Sequence, residues 1–500
     1  MGRLAWYLPS ALVACLALAP VAVLVALAAG AETVAGARSL EIMANTLALT
    51  GLTVAGTLLL GVPLALVTAY GDLAGRRAWV AALAAPLAVP SYIGAFAYFA
   101  AFGPGGELHS LLGVETPPIR GLLGTALVMT LYTFPFVLLT TRAALRSLDA
   151  NVLDAARTLG VPLPEALLHI VLPRARNGIA AGALLVALYT LSDFGTPAIL
   201  QLDTFTRMIY VEYNAFGLDR AALLALQLLV LVVAVLALES RIRVQRERPG
   251  RTLTLHLGRG PRIAAWTLMG LVLLAALAVP LGLFSLWLLR EGAGSFDAAL
   301  VWNSAGPSLL AALLAMVVAL PVAQAAGLGP PGRLLERITH LGFGIPGIVM
   351  GTALVYVGLQ LGFLYQTLAL LVLGYVLRFL PLAVGSARSS LERLEGSLAD
   401  AARCLGASPG EAFRRVTLPL ALPGILAGGA LVFLESMREL PATLLLRPTG
   451  LETLTTELWR VYEAGYFGRA AVPGLLLVLI SALAVAVLLA GERRLEGGHG

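Results

Sequence analysis

The stretch Leu148-Asp-Ala-Asn-Val-Leu-Asp154-Ala155-Ala156-Arg157-Thr-Leu159-Gly160 returns as Leu394-Glu-Gly-Ser-Leu-Ala-Asp400-Ala401-Ala402-Arg403-Cys-Leu405-Gly406. The match runs on through Glu165-Ala166 and Glu411-Ala412 to Leu172-Pro173 and Leu418-Pro419, at a constant offset of 246 residues. Upstream, Pro135 and Arg142 answer Pro381 and Arg388 at the same offset. Each copy reads as helix, turn, short helix. Glycine at the turn permits the positive φ of a tight helix stop. Proline at the far end suits the first turn of the next helix. The Ala pairs let a partner backbone come close. One copy fits a packed hairpin; two symmetrically placed copies favour a partner that is itself a twofold dimer.

The surroundings of the two copies are apolar. Of 500 residues, 59% are hydrophobic and only 12% charged, about half the charge that a soluble domain carries. Twelve runs are long enough to cross a bilayer as helices: 7–30, 44–70, 78–101, 121–140, 178–198, 221–239, 264–289, 304–327, 338–360, 364–386, 421–441 and 471–490. Pro63, Pro90, Pro135, Pro346 and Pro381 fall inside them. The expected fold is all-α, a polytopic membrane protein of about twelve spans in two parallel six-helix repeats. The first repeat occupies 1–240 with its loop at about 142–177. An arginine-rich linker follows at 241–263, and the second repeat occupies 264–500 with its loop at about 388–420.

All 34 basic residues are arginine. With the N-terminus inside, alternating the spans places most of them on the cytoplasmic side, as the positive-inside rule requires. The linker alone holds Arg241, Arg243, Arg246, Arg248, Arg251, Arg259 and Arg262. Both termini are then cytoplasmic. Six helices per half put both repeated loops on that same face. The net charge of +6 is thus a topology signal, and no soluble basic face exists for nucleic acid. The first run continues past Leu12-Val13-Ala14-Cys15 and outlasts a signal's apolar region, so it reads as a retained helix. Cys15 and Cys404, the only cysteines, support neither a disulfide framework nor a thiolate metal site.

Asp154-Ala155-Ala156 with Gly160, Ile170 and Leu172-Pro173, and Asp400-Ala401-Ala402 with Gly406, Val416 and Leu418-Pro419, resemble the "EAA" loop of prokaryotic ABC importer permeases, with Asp in place of the usual Glu. The resemblance covers essentially the whole chain. It implies a coupling helix in each half, two copies of an ATP-binding subunit, and an extracytoplasmic binding protein that delivers the substrate. It also implies a bacterial inner-membrane location in contact with lipid. A P-loop needs a lysine for the phosphates, and the chain has none. ATP and Mg are therefore expected on partner subunits, with no cofactor bound here and no enzymatic activity of its own.

For the cargo, Leu191-Ser192-Asp193-Phe194-Gly195-Thr196-Pro197 and Met437-Arg438-Glu439-Leu440-Pro441-Ala442-Thr443 resemble the ferric-iron branch. Ferric ion prefers oxygen ligands, and acids within a membrane mark functional sites. Asp193, Glu435 and Glu439, with Tyr189, are the candidate pathway residues, without a fixed metal site. Against this, Arg438 stands where it can pair with either glutamate. Arg207, Glu212, Asp219 and the loop 447–469 are expected to face the binding protein. His169 reads as a contact or solvated residue, and His109 and His256 as lone loop residues. Thiamine or another small solute is the alternative cargo. A proton-coupled major-facilitator transporter is the rival class, supported by Asp72-Leu-Ala-Gly75-Arg76-Arg77.

Overall fold

The computed structural model describes residues 4–30, 37–239, 241, 254–293, 296–393 and 396–483. Among these residues the chain is helical, apart from one bridge between Gly71 and Leu255. Nine helices are long and apolar enough to cross a membrane, eleven if each of two bent pairs counts as one span. The last expected span, 471–490, coincides with the apolar helix Phe467–Leu483; residues beyond 483 lie outside the described residues, as do 242–253 of the linker and its Arg243, Arg246, Arg248 and Arg251. Leu59, Leu123, Trp302 and Val317 stand exposed on helix flanks, a placement that suits hydrocarbon surroundings and not water. The chain is a multi-pass membrane protein.

Two of the expected spans are not single helices. Residues 76–88 and 91–101 meet at 84°, and Pro330–Gly344 meets Gly347–Leu361 at 103°. At each elbow the residue before the proline, Val89 or Ile345, is extended, with ψ of 116° and 120°, the conformation such residues prefer. Pro63, Pro135 and Pro381, by contrast, lie within continuous helices. Other boundaries also move. The helices following the repeated loops are Leu172–Ser192 and Leu418–Met437, starting and ending earlier than expected. Short helices Gly195–Ile199 and Phe205–Asn214 follow the first, and Pro441–Leu446 and Leu454–Ala464 the second. The seventh span begins at Arg259, inside the expected linker.

The halves interlock. Leu4–Ala28 packs on Ala299–Gly327 and Pro330–Gly344 of the second half, while Val279–Glu291 packs on Ser91–Ala101 of the first. Residues of both halves share the two largest apolar clusters, as Leu228 does with Val349 and Phe96 with Phe284. Within each half, the helix leaving the loop is pressed to the helix entering it through glycine. A Cβ on Gly178 would come within 2.9 Å of Thr140 O, and one on Gly182 within 2.8 Å of Val137 Cα. Gly424 and Gly428, 246 residues on, meet Ser390 and Ala383 in the same way. Such small-residue contacts allow close helix approach and make each helix pair one stiff unit.

The end of the linker is stitched to the first half. Leu255 N donates to Tyr70 O at 2.7 Å and Asp72 N to Leu255 O at 3.2 Å. Leu257 N and Arg262 Nη2 both donate to the Asp72 carboxylate at 3.0 Å. The Leu257 N–H, followed by the Arg262 guanidinium, holds Asp72 below the ordinary carboxylate value. Asp72, which opens the facilitator-like motif, serves here to fasten the linker.

Candidate functional site

The repeated loops fold alike. In the first, Asp149 caps the helix Ala150–Thr158 by accepting from Asn151 N. Gly160 then turns at φ +84° while its N–H returns to Arg157 O at 3.0 Å and that of Val161 to Ala156 O at 3.1 Å. In the second, Gly406 turns at φ +94°, with Gly406 N on Arg403 O at 3.0 Å and Ala407 N on Ala402 O at 3.1 Å. Both are Schellman stops, which explains the glycine. The short helices Leu163–Ala166 and Pro409–Ala412 then pass through single π turns, Leu167–Val171 and Phe413–Thr417, into the membrane helices. Pro173 and Pro419 stand just beyond these turns and cannot donate to a preceding carbonyl.

Side chains divide by face. Ala156 turns into the protein and is 5% exposed; Ala402 is half-buried, and Ala155 and Ala401 are exposed. Leu159 and Leu405, one residue before each glycine, are 84% and 89% exposed. Asp400 pairs loosely with Arg403 at 3.4 Å on an exposed surface, and Asp154 is half-buried. Leu172 and Leu418 are half-buried and both prolines exposed. The copies differ at the second helix: Ser408 and Glu411 form a capping box, whereas Pro162 supplies no side-chain cap. His169 is exposed, with Nδ1 on Glu165 O.

The other expected residues meet between the halves. Ser91, the first residue of the second limb of the first bent helix, donates from Oγ to Asp193 Oδ2 at 2.9 Å, and Tyr189 Oη donates to Ser91 Oγ at 3.2 Å. Tyr189 lies within electrostatic reach of Arg438 and Glu435 of the second half. Arg438 pairs with Glu435, and its Nε stands 3.1 Å from Oε2. It also crosses to the first half, with Nη1 on Leu87 O at 3.4 Å, while Tyr92 Oη donates to the Arg438 carbonyl at 3.4 Å. Glu439 is 6% exposed and takes a different cation: Arg378 Nε lies 3.4 Å from Oε2, and Ala442 N donates to Oε1 at 3.1 Å. Arg378 Nη1 donates in turn to Ile345 O at 3.3 Å. A Cβ on Gly347 would lie 2.2 Å from Glu439 Oε1, so glycine makes room for the acid.

Several of these residues escape a motif reading. Ser91 and Arg378 are distant in sequence from the acids they serve. Arg378 nevertheless lies 246 residues after Tyr132, so the offset marks a position where the halves differ in charge. A second repeated set, Asn45-Thr46 and Asn303-Ser304, pins the chain beyond each acid. Asn45 and Asn303 donate to Asp203 O and Glu452 O at 3.2 and 3.0 Å. Phe205 N and Leu454 N donate to Thr46 Oγ1 and Ser304 Oγ at 3.1 and 2.8 Å. Thr206 and Thr455 then donate to the carbonyls of Asp193 and Glu439.

The residues expected to face a binding protein are partly engaged in ion pairs. Arg207 pairs with Asp203, Glu212 with Arg220 at 3.4 Å, and Arg447 with Glu452, while Asp219 lies in the first turn of Leu218–Glu239. Among the described residues no group of three or more His, Cys, Asp or Glu side chains could hold a metal ion.

The chain is thus a membrane-embedded pair of interlocked helical halves, each offering an alike loop. The chain belongs to the family of binding-protein-dependent transport system inner membrane components, whose model matches residues 61–243 and again 319–497. It is the permease subunit of an ABC importer, it is not itself catalytic, and its partners are an ATPase and a binding protein. It is 29% identical to the Fe(3+)-transport system permease protein FbpB 2 of Haemophilus influenzae over 90% of both chains. The ferric transport system permease protein FbpB of Actinobacillus pleuropneumoniae is 23% identical over 72% of this chain and 57% of its own. A molybdenum transport system permease protein ModB of Haemophilus influenzae is 37% identical over 22% of this chain and 54% of its own. The family match removes the major-facilitator alternative.

Proposed function

We propose that this permease imports ferric iron delivered by an extracytoplasmic binding protein, and that the passage runs between the halves past Tyr189, Asp193, Glu435 and Glu439. The convergence of these oxygen ligands from both halves carries the reading: ferric ion prefers such donors, and acids held within a membrane are expensive unless used. The ferric permease relative that matches over 90% of both chains supports the same cargo. Thiamine or another small solute is the alternative cargo.

The remaining assignments follow from the repeat. Residues 1–240 and 264–500 are the two halves, joined by 241–263, with both termini cytoplasmic in the inner membrane. Asp154, Ala155, Ala156, Gly160, Leu172 and Pro173, with Asp400, Ala401, Ala402, Gly406, Leu418 and Pro419, form the coupling loops. Each seats one of two ATP-binding subunits, which carry ATP and Mg. Arg207, Glu212, Asp219 and 447–469 lie on the face met by the binding protein.

The test is uptake by proteoliposomes holding the permease, its ATPase and its binding protein. Ferric iron should enter only with ATP at the ATPase side, whether or not a proton uncoupler is present. The double variant Asp193→Asn, Glu439→Gln should slow entry without loss of the ATPase subunits. Undiminished uptake by that variant removes these acids from the passage. Molybdate uptake in place of iron makes Arg378 and Arg438 the cargo-facing groups and overturns the iron assignment.

A further inference from the structure

Each bent helix has an elbow carbonyl that no helix satisfies. Ile345 O precedes Pro346, and Leu87 O lies within the single turn Ala85–Ala88. An arginine donates to each, Arg378 to Ile345 O at 3.3 Å and Arg438 to Leu87 O at 3.4 Å. Each arginine is held in turn by a glutamate, Glu439 and Glu435 respectively. Both glutamates belong to the end of one helix, Leu418–Met437, and the two residues after it. That helix leaves the second repeated loop.

We propose that the segment Glu435–Glu439 is a single clamp on both elbows, and that Arg378 and Arg438 are the positioning residues through which the second loop governs the passage. The proposal rests on the coupling role given to the loops above. The mechanical link is plain. The helix Leu418–Met437 has 20 residues, about 30 Å at 1.5 Å per residue, and Gly424 and Gly428 press it to the helix Leu368–Arg393. That neighbouring helix carries Arg378. A push on the loop is therefore delivered at the far end, where the two ion pairs sit.

The halves are unequal in this respect. At the equivalent end of Leu172–Ser192, Asp193 holds the first elbow through the neutral hydroxyl of Ser91. Tyr132 occupies the position of Arg378, and its buried hydroxyl has no hydrogen-bond partner. One loop thus acts through two ion pairs on two elbows, and the other through one hydroxyl on one elbow. Arg438 hydrogen-bonds at once to a carboxylate and a carbonyl, and Arg378 hydrogen-bonds a carbonyl while ion-paired with Glu439. Because a guanidinium's donors form a fixed fork, such a link weakens when either partner moves.

The experiment uses the whole importer, permease with its ATPase subunits in nanodiscs, and reads ATP turnover without binding protein. Arg378→Gln should raise that basal rate about fivefold or more, the range of ordinary allosteric couplings, since an unclamped elbow no longer restrains the loops. Ser91→Ala should raise it less. Glu439→Gln should match Arg378→Gln, and the double variant should be no worse than either, as expected for two residues in one link. A basal rate unchanged in Arg378→Gln, or multiplicative effects in the double variant, overturns the clamp. If Arg378→Gln fails to assemble, Arg378→Lys decides: it keeps the charge but loses the fork, and a wild-type rate in it overturns the proposal. A wild-type complex whose ATPase ignores its binding protein contradicts the importer reading instead, so the two failures are distinct.

Discussion

Gly160 and Gly406, 246 residues apart, hold the same left-handed turn at φ +84° and +94°, and a Cβ on either would meet nothing within 4 Å. The need for glycine is therefore backbone strain and not crowding. Valine at either position should cost about 1–2 kcal/mol locally and shift the exposed leucine beside it. We expect Gly160→Val and Gly406→Val to insert normally and to lose stimulation of the ATPase, Gly406→Val the more severely. Normal stimulation in both single variants counts against the coupling role of the loops.

The second loop has a cap that the first lacks. Ser408 accepts from Glu411 N at 3.3 Å while Glu411 accepts from Ser408 N at 3.0 Å. Loss of an N-cap costs typically ~1 kcal/mol, so Ser408→Ala should speed hydrogen exchange of the Glu411 amide roughly fivefold. Substituting Pro162 by alanine in the first loop should leave its neighbours' exchange nearly as it is. Equal responses would mean that the two loops are held in some other common way.

The linker clasp sets a pH dependence. Asp72 is held below its ordinary value of 3.8 by the Leu257 N–H and Arg262, so its contribution is complete above that value and fades only as pH falls through the lower folded value. Exchange of the Leu257 amide should show no loss of protection by the clasp between pH 5 and 8. Asp72→Asn should speed it across that whole range. A clasp that opens with a midpoint near neutrality would implicate a different group.

Phe216 is 96% exposed and held at φ +60°, where the second half has Gly465 at φ +73°. A bulky residue in this region is strained. Phe216→Gly should stabilise the purified permease by about 1 kcal/mol against heat, the αL penalty less glycine's own entropy. Gly465→Phe should destabilise it. A loss of stability in Phe216→Gly would show that the ring has a partner that offsets the strain.

Much of this was readable from residue order alone. The apolar runs give the spans, and the offset of 246 finds both loops, both turn glycines and the two acids Asp193 and Glu439. The elbows were not readable. Pro90 and Pro346 look like Pro63, Pro135 and Pro381, and what separates them is tertiary: a carbonyl freed at each break is taken up by an arginine from elsewhere in the fold. The choice of partner was hidden for the same reason. Arg438 adjoins Glu439 in sequence yet pairs with Glu435, because Glu439 is folded back onto Arg378 and its own following helix. The second short helix beyond each acid, Phe205–Asn214 or Leu454–Ala464, is hidden from the 246-residue search because its repeat runs at a slightly longer offset, seen in Thr206 and Thr455.

The central claim is that the two loops lie together on the cytoplasmic face and each seats an ATPase subunit. Leu159 and Leu405, exposed at the loop tips, report on it directly. Single cysteines there, in a chain carrying Cys15→Ser and Cys404→Ser, should react with an impermeant thiol reagent only in inside-out vesicles, and the ATPase should protect both. Reaction of either cysteine from the outer face, or of the two from opposite faces, would contradict the account.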